Sequence, residues 1–198
     1  MPRRSREDAA QTRDTIVASA VDMASTDGLE GLTIGRLADV VGMSKSGVVG
    51  HFGSKEQLQV AALEAAQARF VEEVWRPVAD EEGGIERLRA LCESWLSYLQ
   101  RGVFPGGCFL SAASLEFDDR PGPVRDLVAE SMGRWLAVLE AEAATAMEDG
   151  DLSASVPPRQ IAFELNGVFM GTNWAHRLLR SDECFATARV AIGRILGG

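Results

Sequence analysis

Ser44, Lys45, Ser46 and Gly47 stand in a row, and His51 and Lys55 follow Gly47 at intervals of four. Hydroxyls, an ammonium and a residue without Cβ at the start of a helical run are groups that hydrogen-bond polar edges. They also let free backbone N–H groups approach an anion. Thr33 adds a further hydroxyl at an earlier helix start, and an imidazole and second ammonium come late enough to reach what flanks the contact. This is the chemistry of gripping a polyanion, and double-stranded DNA is the polyanion whose groove admits a helix.

Bond-breaking chemistry is poorly supplied. The two histidines, His51 and His176, are far apart, and there is no nucleophile elbow, phosphate loop or metal-ligand spacing. Glu116, Asp118 and Asp119 precede a proline turn and read as a solvated acidic loop. No catalytic residue, metal or cofactor is expected. The competing reading is an enzyme or small-molecule binding protein that carries an idle helix-turn-helix.

The elements that must position these groups are helical. Ile16, Val17, Ala20, Val21 and Ala24 recur at helical spacing over about 8–26, and Gly28 supplies a stop. Thr33 caps a second short helix with Ile34, Leu37, Ala38 and Val41 on one face. Gly42, Met43 and Ser44 form a turn with a glycine where a left-handed backbone is cheap and a serine placed to cap the next helix. Helix, glycine-containing turn, helix is the helix-turn-helix pattern. Ser54 and Gln57 form a capping box for a long run from Lys55 to about Arg76. Gly47 and Gly50 are poor helix residues, each disfavoured by about 1 kcal/mol relative to alanine. They make sense where a backbone must lie close against a surface.

Net charge sharpens this. The 198-residue chain is 46% hydrophobic, 25% charged and carries −9, an ordinary folded composition whose sign argues against a nucleic-acid partner. Residues 1–55, however, balance seven basic against seven acidic side chains, so all the excess negative charge lies beyond them. Phe52 is the one aromatic before residue 56, and twelve follow. Two modules are expected: 1–55, a DNA-binding module with a basic arm of Arg3, Arg4 and Arg6, and 56–198, a ligand-binding and dimerisation module.

The stretch "LTIGRLADVVGMSKSGVVGHFGSKEQLQ", Leu32 to Gln59, resembles the DNA-binding signature of the TetR family of one-component bacterial repressors. The Thr-capped helix, the Gly-x-Ser turn, the His-Phe pair and the Lys-Glu opening of the next helix all find counterparts. The resemblance implies phosphate contacts from Thr33, Ser44, His51 and Lys55, and places Lys45, Ser46, Gly47 and Val48 near bases, while the residues themselves also let Val48 or Phe52 tie the helix to the module's own core. Where many members carry an aromatic and then a polar residue, this chain has Val49 and Gly50. A phenolic contact to phosphate is therefore missing, and the arginine arm is the candidate to compensate. "PGGCFLSAASLEFDDRPGPVRD" is similar to a segment of some family branches.

The second module has no alternating runs, so the whole reads as all-α with about nine helices. Trp95, Tyr98, Phe109, Phe117, Trp135, Phe163 and Trp174 are the candidates to line a ligand cavity. The helix near 159–180 is apolar around much of its circumference and, with the small-residue helix near 182–196, is expected to hold a homodimer, Gly167 and Gly171 permitting close approach. The expected function is a regulator, in the first place a repressor, that binds a near-palindromic operator and is released by a small-molecule effector. Three scattered cysteines form no disulfide framework, and neither a leader nor a membrane span is suggested, so a cytoplasmic protein is expected.

Overall fold

The computed structural model describes residues 2–197, with side chains from residue 7 onward. Arg3, Arg4 and Arg6 therefore lie outside the described side chains. Among the described residues there are nine α-helices and no strand, as the sequence pattern requires: α1 (Pro2–Gly31), α2 (Ile34–Val41), α3 (Lys45–Phe52), α4 (Lys55–Phe70), α5 (Ile85–Gln100), α6 (Phe109–Glu116), α7 (Pro123–Glu148), α8 (Pro158–Leu179) and α9 (Glu183–Ile195). Helix α1 is broken at Gly28, whose φ of 78° and ψ of 163° are not helical. The stop expected there is a kink, after which one more turn runs to Gly31.

The chain packs as two compact units, one of Met1–Ala68 with Phe104–Ala129 and the other of Arg69–Val103 with Glu130–Gly198. The first unit buries Ile16, Ala20, Leu29, Leu32, Leu37, Val48, Phe52, Leu58 and Ala62 from α1 to α4. Helix α6 belongs to this unit, although it lies some forty residues after α4 in sequence.

In the second unit, the long run expected to Arg76 changes pitch. After Phe70 the chain makes a π turn over Val71–Trp75 and a 3₁₀ turn over Arg76–Val78. Pro77 has no N–H for the carbonyl four residues back, that of Glu73. The Ser94 hydroxyl of α5 donates instead to the Glu73 and Val74 carbonyls, at 3.4 and 2.9 Å. The core of this unit is aromatic. Phe70 meets Tyr98 and Trp135 edge-on at centroid distances of 5.5 and 5.3 Å, and Phe169 stacks on Trp95 at 4.7 Å. Among the described residues no helix is long and apolar enough to cross a membrane.

Candidate nucleic-acid interface

Two short helices begin side by side. Thr33 is in extended conformation before α2 and its Oγ1 accepts from the Arg36 N–H at 3.3 Å. Gly42 closes α2 in the left-handed region, φ 66°, and its N–H and that of Met43 return to the last turn of that helix. Ser44 then caps α3, its Oγ accepting from the Gly47 N–H at 3.0 Å and lying 3.1 Å from the Ser46 Oγ. The first two amides of each helix have no acceptor within the helix and point out of its positive end.

Lys45 brings the two ends together. Its side chain crosses the first turn of α2, where a Cβ built on Gly35 would lie 3.2 Å from Lys45 Cε and 3.4 Å from Nζ. The missing side chain at Gly35 makes room for the ammonium beside the α2 terminus. Two hydroxyl-capped helix starts and one exposed cation thus share a corner suited to phosphate oxygens and base edges. Ser44, Lys45 and Ser46 are exposed, as is Thr33, while Gly47 and His51 are half-buried.

Two expected contacts need correction. Val48 is 0% exposed and packs in the core of the first unit with Phe52, so it positions α3 and does not meet a base. Arg13 of α1 lies over the Phe52 ring, 5.0 Å from its centroid, fixing the same face. Lys55, expected at the phosphate backbone, is half-exposed and engaged within its own unit: Nζ donates to the Glu30 carbonyl at 2.8 Å and to Glu30 Oε2 at 3.1 Å. Gln59 Nε2 donates to the Leu29 carbonyl at 2.7 Å and to Glu30 Oε1 at 3.3 Å. The Lys55 hydrogen bond, aided by Gln59, holds the Glu30 carboxyl below its ordinary range. Lys55 therefore braces the start of α4 against the end of α1.

Sequence reasoning missed Glu116. Its carboxylate accepts from the backbone N–H of Leu29 at 2.9 Å and of Glu30 at 2.8 Å, amides freed by the kink at Gly28. Arg120 lies 3.7 Å from Glu30 Oε1. The acidic cluster around 116–119 is thus partly structural. Among the described residues no group of three or more His, Cys, Asp or Glu side chains is arranged to hold a metal ion.

The seven aromatics expected to line one pocket do not act as one set. Trp95, Tyr98 and Trp135 meet around Phe70 and Phe169 in the core of the second unit. Phe109 and Phe117 are buried in the first unit, on or just beyond α6. Phe163 and Trp174 are corrected outright, being 70% and 55% exposed on the outer side of α8. Two clefts of the second unit, of about 340 and 420 Å³, are lined by other residues: one by Arg89, Cys92, Glu93, Leu96, Arg189 and Ile192 among others, the second by small residues of α8 and α9.

The model of the bacterial regulatory proteins, tetR family, matches residues 16–62, and that of the tetracyclin repressor-like C-terminal domain matches residues 84–192. The HTH-type transcriptional repressor AcnR of Corynebacterium jeikeium is 30% identical over 94 residues, 48% of this chain and 47% of that protein. The chain spans about half the length of the curated relatives it matches. Among solved structures, a TetR transcriptional regulator from Chloroflexus aurantiacus J-10-FL superposes with a TM-score of 0.87 at 23% identity, covering 95% of both chains. AibR, solved in complex with isovaleryl coenzyme A and operator DNA, gives a TM-score of 0.76 at 23% identity over 93% of this chain and 98% of its own.

Proposed function

This chain belongs to the TetR family of bacterial transcriptional regulators, and from that premise we propose that it is an effector-responsive repressor that binds a near-palindromic operator as a homodimer. As a member of the family it is a DNA-binding regulator, not an enzyme. The observation that carries the proposal is the shared corner of α2 and α3, where Lys45 lies across Gly35 beside two hydroxyl-capped helix ends. In this reading Thr33 and Ser44 position phosphates, Lys45, Ser46 and Gly47 enter the major groove, and His51 flanks them. Val48 and Lys55 hold the element that does so. Arg3, Arg4 and Arg6 follow the backbone or minor groove from the chain start.

Support for two copies comes from α8. Phe163, Gly167, Gly171, Trp174 and Leu178 are exposed and recur at helical intervals on one side of it, and a Cβ at either glycine meets no heavy atom within 4 Å among the described residues. An uncovered apolar stripe of this kind suits a second copy of the chain, α9 adding exposed Val190. The dimer's two reading units then address half-sites roughly 34–36 Å apart.

A small-molecule effector bound in the second unit releases the operator, provided that it favours the conformation whose reading heads mismatch it. Trp95, Tyr98 and Trp135, in the aromatic core of the second unit, are one candidate lining; the two clefts, lined by other residues, fall in the size range of ligand sites and are the alternative places. AibR, of like fold, was solved in complex with isovaleryl coenzyme A and operator DNA, which supports a small-molecule site in a protein of this fold besides its DNA interface. The protein acts in the cytoplasm, where its DNA is.

Selection of bound duplexes from random DNA tests the proposal. A two-fold symmetric site is expected, bound by the wild type and lost by the triple variant Lys45→Ala, Ser46→Ala, His51→Ala while that variant stays folded and dimeric. A variant that keeps the same footprint would contradict the assignment of α3.

A further inference from the structure

The outer side of α3 carries a patch that the contacts above do not use. Val48 and Phe52 turn into the core, which leaves Ser46 and Gly50 on the opposite side with Val49 beside them, 37% exposed. A Cβ built at Gly50 meets no heavy atom within 4 Å among the described residues. Its backbone lies within α3 and is not among the positive-φ glycines. Neither internal packing nor conformation therefore calls for glycine at a helix position where alanine is favoured. What remains is the need of something outside the fold to come close.

Val49 and Gly50 offer that neighbour no side-chain donor or acceptor. Recognition at their level is apolar contact and depth of seating. In the major groove the apolar group on a base edge is the 5-methyl of thymine, and small aliphatic side chains meet it there. We propose that the Val49–Gly50 patch reads one thymine methyl in each half-site, the bare Gly50 letting α3 sit deep enough for the Val49 methyls to touch it. The inference rests on α3 being the DNA-reading helix and adds to it one base, chosen by shape.

The test replaces each thymine of one half-site of the selected duplex, one at a time, by deoxyuridine, which lacks only the methyl. Binding is measured for the wild type, Val49→Ala and Lys45→Ala. One replacement is expected to weaken the wild type about fourfold, the worth of burying one such group. The same replacement should change Val49→Ala less than about twofold, while Lys45→Ala binds every duplex more weakly yet keeps the fourfold difference. Val49→Ser, which removes both γ-methyls and presents a hydroxyl, serves as a second variant and should also blunt the difference. No sensitive thymine, or one whose effect persists in both Val49 variants, overturns the proposal with DNA reading by α3 intact. If Lys45→Ala and Val49→Ala both bind like the wild type, the assignment of α3 itself fails and the inference falls with it.

Discussion

The Glu116 carboxylate reaches across 87 positions of chain to accept the Leu29 N–H at 2.9 Å, and it takes the next amide, that of Glu30, at 2.8 Å. The site exists because Gly28 leaves the helical region. A Cβ at Gly28 would lie 2.7 Å from Glu116 Oε1, so both the backbone turn and the approach of the carboxylate need glycine there. Glu116→Ala strands two amides, one of them partly buried, and is expected to lower unfolding free energy by about 1–3 kcal/mol. Glu116→Gln, which keeps one acceptor oxygen, should fall between it and the wild type. Urea denaturation of the three proteins measures this.

Gly50 offers a test in which stability and function move in opposite directions. Since a Cβ there has open space among the described residues, Gly50→Ala removes backbone entropy from the unfolded chain at no steric cost. It should raise stability by about 0.5–1 kcal/mol, read as a later denaturation midpoint. Operator affinity should fall on the order of tenfold, the worth of one good base contact, because the added methyl lifts α3 from the groove. A variant that gains stability and keeps its affinity would leave the glycine without a role.

Glu30 gives the first unit a pH dependence whose sign is set by Lys55 and Gln59. Their hydrogen bonds depress its folded pKa, Lys55 contributing first. A depressed carboxyl stabilises the fold above its unfolded pKa, and that contribution is lost as pH falls through the lower folded value. Stability measured from pH 7 down to about pH 3 should decline less steeply in Glu30→Gln than in the wild type over the range at and below ordinary glutamate titration. Lys55→Ala should likewise flatten the decline, since it removes the main cause.

How far the sequence carried can be seen from the same residues. Thr33, Gly42, Ser44 and Ser54 act within three or four positions of themselves, so their capping roles were legible from spacing alone, and the Ser54 Oγ does accept the Gln57 N–H at 3.1 Å. Lys55 and Glu30 are 25 apart, and Glu116 and Leu29 are 87 apart. No local periodicity encodes such a meeting, which is why a lysine in the right register read as a phosphate contact and an acid before a proline turn read as solvated. Val48 carries two readings, near bases by its motif position and tied to the core by the helical phase it shares with Phe52, and the second is the one its burial supports. Phe163 and Trp174 count both among the aromatics in excess of a core's needs and on a helix apolar around much of its circumference, and their exposure favours the second reading.

Those two aromatics have cover if a second copy supplies it. Phe163 and Trp174 flank Gly167 and Gly171 along one side of α8, with Leu178 continuing the line at 65% exposure. The glycines let a partner helix approach, and the aromatics then bury the most apolar area per residue, the usual composition of an interface centre. Phe163→Glu or Trp174→Glu places a charge in that contact without disturbing the core of the subunit. Each should raise the dimer dissociation constant by at least about thirtyfold, equivalent to an interface hot spot of about 2 kcal/mol, as measured by analytical ultracentrifugation. Leu115→Ser, at an equally exposed apolar residue of α6 in the first unit, should leave the association unchanged. Because two half-sites held by one dimer gain from effective concentration, the α8 variants should also lose affinity for the full operator while binding an isolated half-site as the wild-type subunit does.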